Sequence, residues 1–318
     1  MEVSSYSGSG NRSTFRLDDG LYTGDPKVRR VIFDMAGRET GGELTPYLHA
    51  ARRVRDASSF GRSIDNVLHQ SDDPLVSRIG KIAIANEILK AEAESLFQDG
   101  LPLDMEQAIP EIAKTWLLPL AQILTTDVTV TNVAEIFAHL SIITFNYDRS
   151  LELFLPEMLR RVYGLDSPLC HEIARKVPIH HPYGQVGQLT STHQTVGWGQ
   201  DNERLEEIAL YLRTFAESTD EDDALQAIRD QVAEAEVIVF LGFGFHRQNM
   251  QLLAPTTQMN VRRLIGTSLD QPSPAVEVIK SSLERMITMP STRLRPRLEL
   301  SAISCASLMH NYSLPLMS

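Results

Sequence analysis

Apolar residues recur along this chain in two rhythms. Between residues 44 and 124 the spacing is helical. Leu44, Leu48, Ala51 and Val54 share a face, and Leu75, Ile79, Ile82 and Leu89 share another on a stretch that runs to Phe97. Asp72-Asp73-Pro74 marks a helix start, because proline suits the first turn and acid is favoured at the positive end of the helix dipole. A third helical stretch covers 105–124, with breaks expected at Pro110 and Pro119. Ahead of these, residues 1–26 are small, polar and weakly periodic, which predicts a loop-like lead-in, and residues 28–33 read as a short strand.

The second rhythm begins at Leu140. An apolar, β-branched run ends at Asn146, and a helical stretch follows from Arg149 to Tyr163. Next come a short strand over 177–180, a Gly- and Thr-rich loop over 184–199, and helical stretches over 202–215 and 220–234. Strands are expected at 237–241, the most apolar of all, and at 261–265. Strands alternating with helices predict an α/β fold with a parallel sheet. The acidic run 219–223 opens a helix, where negative charge is favoured without any ligand. The expected organisation is therefore a lead-in over 1–43, a helical module over 44–125, and an α/β core over 126–318 that includes a C-terminal segment.

Composition narrows the function classes. The 318 residues are 42% hydrophobic and 22% charged, as in an ordinary globular protein. A formal net charge of −11 argues against wrapping nucleic acid or coating an anionic membrane. Arg52, Arg53 and Arg55 form a local basic group that reads best as a solvated helix face. Only Cys170 and Cys305 are present, so a zinc site of four cysteines is impossible and a disulfide framework has no support. No apolar run approaches the length of a membrane span, and the Ser- and Gly-rich start carries no apolar signal core. These features lead to the expectation of a cytoplasmic protein.

Candidate chemistry gathers at three strand ends, where open α/β sheets bind ligands. In Leu140-Ser-Ile-Ile-Thr-Phe-Asn-Tyr-Asp148 the strand stops at Asn146 and Asp148; either residue can also serve as a helix cap. His180-His181-Pro-Tyr-Gly184 places two histidines at the next strand end. Either could act as a base near neutral pH, and either could be a satisfied polar residue. Val237-Ile-Val-Phe-Leu-Gly-Phe-Gly244 leads into His246-Arg-Gln-Asn249, with glycines that let a backbone approach a phosphate or simply make a tight turn. Gly266-Thr-Ser268 repeats that pattern after the following strand.

Taken together, these motifs resemble the SIR2-like family, the bacterial and archaeal relatives of sirtuins often found in antiphage defence. Thr144-Phe-Asn-Tyr-Asp148 is similar to the sirtuin Thr-Gln-Asn-Ile-Asp motif, and His181-Pro-Tyr-Gly184 to the motif that carries the catalytic histidine. The strand into Gly242-Phe-Gly244 stands where sirtuins have the Gly-Thr-Ser loop. Ser63-Ile-Asp-Asn66 and the stretch from Gly80-Lys81 to Glu94 resemble the family's helical part. The similarity runs through most of 44–270. Near the start, Thr14-Phe-Arg16 and Gly20-Leu-Tyr22 echo the sirtuin stretch that follows the diphosphate loop.

The resemblance implies a sirtuin-like, Rossmann-like parallel sheet with an additional helical module. It implies cleavage of the nicotinamide–ribose bond of NAD, which is substrate rather than resident cofactor, with no metal. Asp148 would hold the nicotinamide carboxamide, and Asn146 would orient the ribose or the attacking water. His181 would be the base, with His180 as the fallback. Phe15, Arg16, Gly242, Phe243, Gly244, Gly266 and Thr267 would contact the dinucleotide. A defence-system partner protein and a homo-oligomer are the implied partners.

Two departures stand beside the resemblance. Ser7-Gly-Ser-Gly10, with no apolar strand in front, stands where the family has its strand and Gly-Ala-Gly-x-Ser loop, so the expectation is a first strand either truncated or diverged. The zinc-binding cysteine quartet that frames the acyl-lysine cleft of sirtuins is also absent, which favours a hydrolase over a protein deacylase. A catalytically silent NAD or ADP-ribose sensor is the other alternative.

Overall fold

The computed structural model describes residues 25–61, 64–97, 110–189, 195–200, 202–218, 223–287 and 295–317. Its first helix, Pro26–Glu39, starts at Asp25, whose Oδ1 accepts from the backbone N–H groups of Lys27 (2.8 Å) and Val28 (3.1 Å). Residues 28–33 are therefore helical rather than extended. Val28, Val31, Ile32 and Met35 form one buried face at helical spacing, and Asp25-Pro26 is the same start signal as Asp73-Pro74. The helical part of the chain thus begins at Pro26 rather than at residue 44.

Helix Pro74–Ala93 is the centre of that part. Eleven of its residues are buried, on nearly every face, so it behaves as a core helix rather than an amphipathic surface one. Helices Pro26–Glu39, Thr45–Ser58, Ile64–His69 and Leu205–Ala209 pack around it. Gly80 lets Leu68 approach: a Cβ there would lie 2.2 Å from the leucine side chain. Helix Leu117–Thr125 runs through Pro119 without the expected break, because a proline in the first turn sacrifices an N–H that has no helical partner anyway.

The strands are short and all parallel. β1 (Ile142–Ile143) pairs with β2 (Ile179–His180), connected by helices Ser150–Tyr163 and Ser167–Ala174. β3 (Val237–Phe240), β4 (Arg263–Thr267) and β5 (Arg297–Ser301) form a second sheet in that order, with crossover helices Arg247–Leu253 and Ser273–Met286. Parallel pairing needs such crossovers. The mixed α/β expectation holds, while β5 was not anticipated from the sequence. β4 is buried on both faces: Leu264 joins one apolar cluster and Ile265 another.

The helix expected over 202–215 is interrupted. Only Leu205–Ala209 and Phe215–Ser218 are α-helical, because Leu212 leaves the helix to bridge Gly184. Three apolar clusters result, around the helical part, around helix Ser150–Tyr163, and beneath the β3–β5 sheet. Phe145 packs against the first and third. Arg53 pairs with Asp73 and Arg55 with Asp56 on the surface, so these two arginines belong to a solvated face. Among the described residues, no helix is long and apolar enough to cross a membrane.

Candidate functional site

Parallel pairing of β1 and β2 brings Asn146 and His181 together. The register Ile143↔His180 continues as the Thr144 N–H donates to the His180 carbonyl at 2.9 Å, and both chains then leave the ladder side by side. His181 Nδ1 lies 3.0 Å from the Asn146 carbonyl oxygen. That oxygen can only accept, so Nδ1 carries the hydrogen. The Asn146 side chain is exposed and makes no hydrogen bond among the described residues. Asp148 Oδ1 accepts from the Ser150 N–H at 3.1 Å, so this oxygen turns the chain into helix Ser150–Tyr163. Arg149 stands at the N-cap of that helix with no side-chain cap, so Asp148 makes the turn one residue ahead of it rather than the cap itself.

Helix Ser150–Tyr163 adds a residue that the sequence did not single out. Glu152 Oε1 lies 2.8 Å from His181 Nε2, so both ring nitrogens of His181 are engaged. Burial works to strip the proton from His181. The hydrogen bond and charge of Glu152, the Asn146 carbonyl and the Asp148 charge outweigh it and raise the imidazole pKa above its ordinary value. A raised histidine pKa contributes stability that is complete below about pH 6.5 and is lost as pH rises through the folded-state value. The melting-temperature gap between wild type and His181→Gln is therefore expected to narrow as pH is raised above about 6.5, which a pH series of thermal melts checks. A gap that widened with pH would show the pair to be misassigned.

His180 behaves oppositely. Burial, and then the neighbouring His181, push its pKa down, and its Nε2 is buried without a hydrogen-bond partner among the described residues. The Pro182-Tyr-Gly184 turn closes with the Gly184 N–H donating to the His181 carbonyl at 2.9 Å. Gly184 has a φ of +76°, and a Cβ there would sit 2.0 Å from the Tyr211 carbonyl oxygen. Its glycine character serves this close backbone approach.

The third strand end meets the first two through aromatic rings. Phe145 lies 5.2 Å from Phe243 and 5.6 Å from Tyr183, centroid to centroid, and the Tyr183 hydroxyl donates to Asn249 Oδ1 at 2.7 Å. Phe243 and Phe245 pack on Phe240 at the end of β3. Gly242 and Gly244 are exposed in this turn, where Gly242 adopts a φ of +59° and Phe245, unusually for a non-glycine, +49°. The Gly242 N–H is taken by Thr267 Oγ1 at 2.9 Å. Thr267 and Gly266 are buried, Thr267 latching the turn and Gly266 lying against Leu300 and Phe240. Phe15 and Arg16 lie outside the described residues.

Behind the site lies a buried ion pair that the sequence also did not reveal. Arg149 Nε and Nη2 contact Glu92 Oε1 (3.0 Å) and Oε2 (2.5 Å), and Arg149 also donates to the carbonyls of Val196 and Gly197. The pair fixes the residue after Asp148 to helix Pro74–Ala93. No local signal could have found it, because its partners are far apart in sequence and each looks like a surface charge.

Among the described residues, no three His, Cys, Asp or Glu side chains gather in the way a metal ion would need. Comparison with protein-family models, with curated proteins and with solved structures gives no match for this chain.

Proposed function

We propose that the chain is a SIR2-like NAD hydrolase with a Rossmann-like core, acting in the cytoplasm in antiphage defence. The observation that carries this is the convergence of three separate strand ends. Phe145, next to Asn146, touches both Phe243 between the turn glycines and Tyr183 two residues past His181. Open α/β folds bind dinucleotides at the carboxyl ends of parallel strands, where these residues lie.

Cleavage of the nicotinamide–ribose bond builds positive charge on the ribose in an oxocarbenium-like transition state. The leaving group is already a cationic pyridinium, so it departs as neutral nicotinamide. Asn146, with its amide unspent, orients the attacking water or the ribose. Asp148 keeps Oδ2 for the nicotinamide carboxamide, since Oδ1 is held by Ser150. The His181–Glu152 pair supplies the proton acceptor, and Gly242, Phe243 and Gly244 give the backbone its approach to ribose and phosphates.

Nicotinamide release from NAD tests this directly. Asn146→Ala is expected to lower kcat about 10²-fold while leaving the fold intact, because misplacing a reactant by about 1 Å costs that much. Equal release by wild type and variant would overturn the site. One observation favours a second reading, a silent NAD or ADP-ribose sensor: neither ring nitrogen of His181 is open to a substrate. Tight binding of NAD without turnover would select it.

A further inference from the structure

His181 contacts only one oxygen of Glu152. The other, Oε2, is buried and has no hydrogen-bond partner among the described residues, although the side chain as a whole keeps 27% of its surface exposed. A carboxylate oxygen shut off from water with nothing donating to it is costly, and native structures rarely leave one so without a use. His181, by contrast, has nothing left to offer: its Nδ1 hydrogen is on the Asn146 carbonyl and its Nε2 is on Glu152 Oε1. The groups facing the imidazole are Glu152 and Asp148 from the start of helix Ser150–Tyr163, the Asn146 carbonyl past β1, and His180 on β2. Two acids and a carbonyl favour the imidazolium.

We propose that Glu152 is the residue that accepts the proton of the attacking water, and that His181 is its positioning partner. This rests on the NAD-hydrolase reading and reverses the roles within the pair. In the step, the water oxygen bonds to ribose C1′ while its proton passes to Glu152 Oε2. The C1′–N bond breaks with its electron pair leaving on the nicotinamide nitrogen, so the pyridinium departs neutral. Glu152 then returns the proton to solvent, and NAD and water have become ADP-ribose, nicotinamide and a proton. A carboxylate paired with an imidazolium is a weak base, and an oxocarbenium-like transition state asks for no stronger one. His181 meanwhile holds Oε1, which leaves Oε2 as the oxygen of that carboxylate with no donor among the described residues.

The experiment compares full-length wild type, Glu152→Gln, Glu152→Asp and His181→Gln in two measurements. These are ADP-ribose binding by calorimetry and the pH profile of nicotinamide release. Glu152→Gln is expected to bind ADP-ribose within about threefold of wild type while kcat falls about 10²-fold, the usual worth of one proton-transfer group. Wild-type release should decline toward acid pH, because a protonated carboxyl accepts nothing. That acid limb should vanish in Glu152→Gln and survive in His181→Gln and in Glu152→Asp, which also serves if the glutamine variant fails to fold. An acid limb that survives in Glu152→Gln and vanishes in His181→Gln makes His181 the base and overturns the assignment alone. A wild type that neither binds ADP-ribose nor releases nicotinamide overturns the hydrolase reading and the assignment with it.

Discussion

Glu92→Gln is expected to lower the unfolding free energy by about 3–5 kcal/mol, because it removes one partner of a fully buried ion pair. The Arg149 side chain is 0% exposed and that of Glu92 is 1%. Burial holds the Glu92 carboxyl above its ordinary pKa despite the pull of Arg149. The carboxylate also accepts the Gly199 N–H at 3.0 Å, and the Trp198 indole donates to the Glu92 carbonyl at 2.9 Å. One substitution therefore loosens helix Pro74–Ala93, the start of helix Ser150–Tyr163 and the 195–200 loop together. Replacing both partners with apolar residues of similar volume, as in Glu92→Leu with Arg149→Met, should recover most of the loss. Urea unfolding of the single and double variants checks both statements. A single-variant loss under about 1 kcal/mol would mean that the pair behaves as a solvated surface bridge.

Gly184→Ala is expected to cost about 3 kcal/mol and to depress nicotinamide release as well. The left-handed backbone alone charges an L-residue about 1–2 kcal/mol. The added Cβ would also meet the Tyr211 carbonyl oxygen at 2.0 Å and the Leu212 Cα at 3.3 Å, and backbone atoms cannot swing aside as a side chain can. Relief requires opening the Gly184–Leu212 bridge and the 2.8 Å hydrogen bond from the Arg213 N–H to the Tyr183 carbonyl. Both lie within three residues of His181, so the loop that positions the imidazole moves with them. Gly164→Ala is the control: its φ is +66° with nothing within 4 Å of the added Cβ, and it should show the backbone cost by itself. Thermal melts of the two variants separate conformation from collision. Equal losses would show that Gly184 has room.

Legibility in the sequence followed the range of the interaction concerned. Asp73-Pro74 announced its helix because capping is local, and the run into Asn146 announced a strand end because apolarity stops there. Asp25-Pro26 carried the same local signal, but Val28, Val31 and Ile32 sit in a stretch apolar enough to read as extended, and the strand expectation failed. β5 does alternate polar and apolar residues in Arg297-Leu-Glu-Leu-Ser301, and its charges pair across the sheet: Arg263 Nε meets Glu299 Oε1 at 2.7 Å. That strand was legible in its own alternation and the expectation missed it, its shortness of five residues making the signal slight. The site divides in the same way. Asn146, Asp148 and His181 stood out because polar residues ended apolar runs. Glu152 hid in the first turn of a helix, where acids are common for reasons of the dipole. The Arg149–Glu92 pair was hidden further still, as two charges whose burial only tertiary packing decides. Gly184 was legible as special, yet its reason is a backbone contact with Tyr211 that no spacing within its own loop discloses.

That three strand ends form one NAD-cleaving site is tested most directly by nicotinamide release from NAD, followed for wild type beside Asn146→Ala and His181→Ala under identical conditions. Release by wild type that is strongly reduced in both variants, each with an unchanged far-ultraviolet spectrum, is the expected result. Release that is equal in all three proteins, or wild-type protein that neither binds NAD nor cleaves it, would contradict it.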